Sequence, residues 1–184
     1  MKMKSALPLI CLISFIGCCL WSCEPIQSVS EIPEIHFKQL IFEDRTDDLD
    51  ETFKTAVLIF SFIDGDGDIG VRPQDKPIDR VSKIHYTWYA KLSDNTYEAY
   101  KFPNDSISIS TNITYGSVMD KSEAQNKVLK GSIKIELSTP EKPKGIDMMR
   151  VEFYIVDRAR NKSNVDQTPD FSIQNPPDEL LPNK

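Results

Sequence analysis

Thr55–Ile63, TAVLIFSFI, is the stretch that most narrows what this chain can become. At a two-residue period Ala56, Leu58, Phe60 and Phe62 fall on one face, with Val57, Ile59, Ser61 and Ile63 on the other. Both faces are largely apolar, which suits a central strand covered on two sides. Alternation recurs on either side of it. Ile35, Phe37 and then Leu40–Phe42 mark a first strand, and Ser82–Leu92 carries Ile84, Tyr86, Trp88 and Ala90 on one face. Ser132–Ser138 alternates Ile133, Ile135 and Leu137 with Lys134 and Glu136, and Met149–Val156 alternates in the same way. Tyr97–Phe102 and Ser106–Ser110 are shorter candidates, parted by the turn signal Pro103-Asn104-Asp105, and a last short strand is expected around Asp170–Ile173.

Helical signals are few. Asp120-Lys121-Ser122-Glu123 has the spacing of a capping box and predicts one weak helical turn. Asn175–Lys184 is proline-rich and predicts a frayed tail. Short alternating strands, turn signals between them and almost no helix predict an all-β protein, a single β-sandwich of seven or eight strands over residues 34–174.

The chain opens on an export signal. Lys2 and Lys4 precede a nearly unbroken apolar run, Ala6–Leu20, and small residues close it. Leu20-Trp21-Ser22-Cys23 resembles the lipobox of bacterial lipoproteins, with the weaker alternative Gly17-Cys18 before it. The resemblance implies cleavage of residues 1–22, acylation of Cys23 and a lipid anchor in the cell envelope, at the outer membrane. A plain secretory signal with a chance cysteine is the alternative. The chain has four cysteines, at 11, 18, 19 and 23, so cleavage leaves one. A lone thiol in an exported domain cannot form an internal disulfide, and acylation accounts for it. Cys23–Pro33 then reads as a tether. Only one acid, Glu24, follows the cysteine, which favours a periplasm-facing anchor over surface export.

Composition excludes some partners. With 22 Lys and Arg against 28 Asp and Glu, the net charge is −6, and losing Lys2 and Lys4 makes it −8. Such a surface repels phosphates, so nucleic acid is not expected. It also repels anionic headgroups, which leaves membrane affinity to the acyl chains.

One motif could carry chemistry. Asp64-Gly65-Asp66-Gly67-Asp68 sets three carboxylates on a pliant backbone, a pattern able to curl around a hard cation such as calcium. It is no EF-hand, because Ile69 stands where position 6 needs glycine and Asp75 where position 12 needs a bidentate acid. Phe62–Gly70 resembles the F-x-D-G-D-G-D-[IL]-G motif of uncharacterised lipoproteins of the Bacteroidota, where it follows an early strand of an immunoglobulin-like module. Val151–Asn164 resembles the penultimate strand and turn of immunoglobulin-like and fibronectin-type modules, often V-x-D-x-x-G-N, with Arg160 here at the glycine. The Cys…Trp…Cys signature of antibody domains is absent, and Trp88 is a candidate core tryptophan. Such a fold would bring Asp64, Asp66 and Asp68 near Asp157, Arg158, Arg160 and Asn161 at one end. There the arginines could neutralise the aspartates as a loop staple, or a cation could do so.

Other candidates are weaker. His36 and His85 lack a ligand partner at a metal spacing. Tyr86, Trp88, Tyr89, Tyr97 and Tyr100 could line a glycan-binding face, though strand aromatics more commonly pack with one another. Asp105-Ser106-Ile107 resembles the D-[ST]-aliphatic O-glycosylation motif of the same bacteria. No G-x-S-x-G, P-loop or H-E-x-x-H occurs. These observations predict a lipid-anchored, non-catalytic binding or structural module with an envelope protein or glycan as partner. A small envelope hydrolase acting on glycans with two of the clustered acids, and an accessory lipoprotein of an outer-membrane assembly, are the alternatives.

Overall fold

The computed structural model describes residues 29–46, 50, 52–70, 81–123, 128–140 and 143–183. The export signal, Cys23 and the first part of the expected tether lie outside these residues. The first sheet contains β1 (Glu34–Thr46), β2 (Thr52–Asp64), β6 (Val118–Glu123), β7 (Leu129–Leu137) and β11 (Glu179–Leu180), in the order β11-β1-β2-β7-β6. The second contains β3 (Lys83–Lys91), β4 (Tyr97–Ala99), β5 (Ser108–Asn112), β8 (Met148–Val156), β9 (Asp166–Gln167) and β10 (Phe171–Ser172), in the order β10-β8-β3-β4. Off that path β5 pairs with β3, and β9 with β8. All pairings are antiparallel.

The order 1-2-7-6 against 10-8-3 is that of immunoglobulin-like sandwiches. Trp88 stands, fully buried, on β3, the position at which such sandwiches carry a core tryptophan. The two inner faces meet in one core, with Phe60 of β2 against Phe153 of β8 at 5.2 Å and Trp88 edge-on to Phe171 at 5.9 Å. Removing a buried aromatic of this kind costs about 3–5 kcal/mol. As its composition predicts, β2 is interior to its sheet, pairing with β1 along one edge and β7 along the other.

Two segments differ from expectation. Asp120–Glu123 belongs to β6 and not to a helical turn: Val118 pairs with Ile133 and Glu123 with Leu129. A single turn of helix has little stability alone, whereas the free edge of β7 offers partners for a whole row of backbone groups. The register shifts between Met119 and Ser122, and Asp120 takes a φ of 50° there. The tail is also tied down. Leu180 pairs with Leu40, Glu179 with Ile41, and Phe42 N–H donates to the Asp178 carbonyl at 3.0 Å.

After β8 the chain turns through Asp157–Asn161, closed by Asp157 N–H to the Asn161 carbonyl at 3.1 Å and Arg160 N–H to the Asp157 carbonyl at 3.3 Å. Arg160, at the motif's glycine position, has a φ of 75°. The left-handed conformation costs a residue with a Cβ about 1–2 kcal/mol, partly offset by the greater entropy glycine loses on folding. Arg160→Gly is therefore expected to stabilise the protein by about 0.5–1 kcal/mol, read as a higher urea midpoint at unchanged slope.

Candidate metal centre

The alternation that builds the core also delivers a carboxylate to its rim. Ala56, Leu58, Phe60 and Phe62 point inward along β2, and the next inward position is Asp64, fully buried. On β8 the inward series Val151, Phe153, Ile155 runs on to Asp157, only 2% exposed. Because β2 and β8 both end at the same end of the sandwich, the two acids arrive together.

The loops bring in the rest. Asp64 Oδ2 accepts from the N–H of Asp68 at 2.8 Å and of Ile69 at 3.3 Å, which curls the Asp-Gly segment back over it. Ile69 is buried and closes the loop against the core. Ser82 Oγ accepts from Gly70 N–H and donates to the Asp68 carbonyl, each at 3.2 Å. From the other loop, Ala159 N–H donates to Asp68 Oδ2 at 2.8 Å and Arg158 Nε to the Asp68 carbonyl at 2.7 Å. Asn161 gives its backbone N–H to Asp157 Oδ1 at 2.7 Å and its Nδ2 to Oδ2 at 2.9 Å.

Four carboxylates converge as a result. One oxygen each from Asp64, Asp66, Asp68 and Asp157 lies within 4.8 Å of the other three. Asp64 Oδ1, Asp66 Oδ1 and Asp68 Oδ1 are shut off from solvent and have no hydrogen-bond partner. Burial, then the charges of Asp66 and Asp68, push the Asp64 carboxyl up to about 7 against an opposing Asp68 amide. Asp68 is raised as well, first by burial and then by Asp157 and Asp66, with the Ala159 amide and Arg158 working the other way. Near neutral pH this pocket attracts positive charge, a proton or a metal ion. Two oxygens bound to one calcium at 2.3–2.6 Å stand at most about 5 Å apart, so no two of the four acids are too far apart to share one ion.

The three residues marked in the sequence are thus brought together, and Asp157 joins them as a fourth. The arginine staple takes a different form from the one expected. Arg158 reaches the Asp68 backbone carbonyl, the Arg160 side chain is exposed, and the three Oδ1 atoms accept no hydrogen bond from either. The histidines stand apart: exposed His36 pairs with Glu34 at 3.1 Å, and His85 stacks on Tyr154 at 4.9 Å.

The aromatics do not form one glycan platform. Alternation puts Tyr86 and Trp88 in the core, where Tyr86 Oη accepts the Ser138 N–H at 2.9 Å. Tyr89 and Tyr97 flank Arg150, at 5.8 and 3.7 Å, while Tyr100 packs edge-on to Phe102 at 5.1 Å. Asp105-Ser106-Ile107 lies at a turn, with Asp105 and Ile107 exposed.

No family model, curated protein or solved structure matches the chain.

The raised Asp64 carboxyl has a thermodynamic consequence. Its proton is held to about pH 7 in the folded protein but only to about the ordinary 3.8 in the unfolded chain. Between these values the folded state binds more protons. Its contribution to stability is thus complete at the acid end and is lost as pH rises. Urea unfolding in chelator should show stability falling by a few kcal/mol from about pH 4 to pH 7. Asp64→Asn, which keeps the acceptor for Asp68 N–H and removes a charge, should flatten most of that slope.

Proposed function

We propose that the chain is a lipid-anchored cell-envelope protein, held at the outer membrane through Cys23, whose β-sandwich is a non-catalytic binding or structural module built around a calcium-type cation. Its ligands are Asp64, Asp66, Asp68 and Asp157. The observation that carries the cation is the set of three solvent-shielded carboxylate oxygens without a hydrogen-bond partner beside a buried fourth acid. Buried polar atoms in folded proteins are nearly always satisfied, and buried carboxylates are paired or bind metals. Oxygen donors alone, mostly charged and partly on a pliant loop, suit calcium better than magnesium, which keeps several waters and tolerates little distortion. Part of the centre is structural, since the cation would join the loop after β2 to the loop after β8.

Support for the anchor comes from the charged start, the apolar run and the lone remaining cysteine. Among the described residues, no helix is long and apolar enough to cross a membrane. In this reading the module meets an envelope protein or glycan, and the acids serve the fold and its loops rather than turnover.

Calcium at about a hundred times its dissociation constant should stabilise the folded state by about 2.7 kcal/mol, raising the melting midpoint by about 5–10 °C. Asp66→Asn and Asp68→Asn should each remove most of that shift and of the heat measured by calorimetry. An unchanged midpoint at millimolar calcium would overturn the cation. Mass spectrometry of the native protein should find the mature chain starting at an acylated Cys23, and an unmodified thiol there would overturn the anchor.

A further inference from the structure

The loops that carry the four carboxylates also hold the start of the described chain. Gly65, between Asp64 and Asp66, gives its N–H to the Ser30 carbonyl at 2.9 Å. The approach is so close that a Cβ on Gly65 would lie 2.4 Å from Ser30 O and 2.5 Å from Val29 O, so only glycine fits. Asn161, which binds both oxygens of Asp157, also reaches the Glu31 carbonyl with Nδ2 at 3.4 Å. Among the described residues little else holds residues 29–32: Ser30, Glu31 and Ile32 are exposed, Ile32 N–H bonds back to Ser30 Oγ at 3.0 Å, and the first buried side chain is Pro33.

Three residues beyond Ile32 the attachment changes. Ile35 is buried, with its N–H on Asn164 Oδ1 at 2.8 Å and its carbonyl on Asn164 Nδ2 at 2.9 Å. Phe37 N–H is held by Asp166 Oδ2 at 2.5 Å. These contacts involve none of the four acids. The hold on residues 29–32 therefore depends on the acidic loops, and the hold from Ile35 onward does not.

The geometry points to a cation-dependent clamp on the N-terminal segment: ion binding fixes the loops and with them residues 29–32, and ion loss frees that segment while the sandwich stays folded. Without the ion, like charges within 4.8 Å press the Asp-Gly loop and the turn after β8 apart against the Ala159 and Arg158 bonds to Asp68, while Asp64 and Asp157 stay fixed at the ends of their strands. Gly65 moves with the loop and Asn161 with the turn, so the two grips on the segment loosen. Freeing four residues adds about 14 Å of reach between whatever precedes residue 29 and the sandwich. This inference rests on the cation reading above and assigns that site a regulatory task, the setting of tether length by divalent cation.

A glutamate-specific protease tests it on the full chain in detergent. The cut between Glu31 and Ile32 falls inside the clamp, and a free peptide spanning residues 27–36 provides the unclamped reference. Calcium should slow the cut in the protein by roughly tenfold or more and leave the peptide's rate unchanged. In the wild-type protein, calcium should likewise slow amide exchange at Gly65, with a much smaller effect at Ile35. Gly65→Ala keeps all four acids but has no room for the segment. It should bind calcium in calorimetry and be cut after Glu31 equally fast with and without it. If calcium binds the wild type but changes neither Glu31 cleavage nor Gly65 exchange, the clamp is overturned and the cation site stands. If no calcium binds, both fall. Persistent protection of Glu31 in calcium-loaded Gly65→Ala also overturns the clamp.

Discussion

Like charge gathered at the dry rim of a hydrophobic core is the constraint around which this end of the molecule is organised. Two inward-facing series of apolar residues, on β2 and β8, each run into an aspartate at the point where the strands leave the core. Neither acid can retreat into water without pulling its strand out of phase, because a shift of one residue would turn every inward side chain outward. The loops must therefore supply compensation. They do so with the amides of Asp68, Ile69, Ala159 and Asn161, which satisfy one side of the acids and leave three oxygens of the Asp-Gly segment for a ligand of the opposite charge. Arg158 contributes positive charge nearby while its Nε holds the Asp68 carbonyl, so it braces the loop and only partly neutralises it.

What could be read from the sequence, and what could not, divides along local and non-local lines. The long strands were legible because each buries one face, and period-two alternation records that burial directly. Elements whose stability comes from a neighbour were not. β6 has a local helix signal and becomes a strand because β7 has an open edge, and β11 forms in a proline-rich tail because β1 does. The site shows the same division. Asp64, Asp66 and Asp68 declare themselves by spacing within one loop, while Asp157, 89 residues further along the chain than Asp68, is placed beside them in the sequence only through the expected fold, and as a neighbour rather than a ligand. A local signal for its role did exist, since it continues the inward phase of Val151, Phe153 and Ile155. An acid where the next core residue belongs is a stronger indication of a buried polar centre than acid density along the chain.

The same topology sets a direction. β1 and β2 pair antiparallel, with Glu34 opposite Ile63, so the chain enters the first sheet beside the end of β2. Entry point, acidic loop and the turn after β8 thus share one end of the sandwich by connectivity, whatever the details of the loops. In a tethered protein that end is the one nearest the anchor. The aromatic and basic residues around Arg150 belong to β3, β4 and β8 and are free of this restriction.

Whether a charge cluster acts locally or governs the whole fold depends on what else joins the sheets. Here the amino-terminal part of β1 is bonded to the opposite sheet by side chains that mimic a strand: Asn164 pairs with both backbone groups of Ile35, and Asp166 with the N–H of Phe37. Behind them the core is continuous, with Ile35, Phe60, Trp88 and Phe153 all essentially inaccessible to water. Loss of a bound ion would leave those contacts intact and withdraw support only from the loops and the few residues leaning on them. A site of this kind is suited to changing how the domain is held rather than whether it is folded. The strict requirement for glycine at position 65, against the backbone of Val29 and Ser30, is the feature of the loop that cation binding alone does not explain.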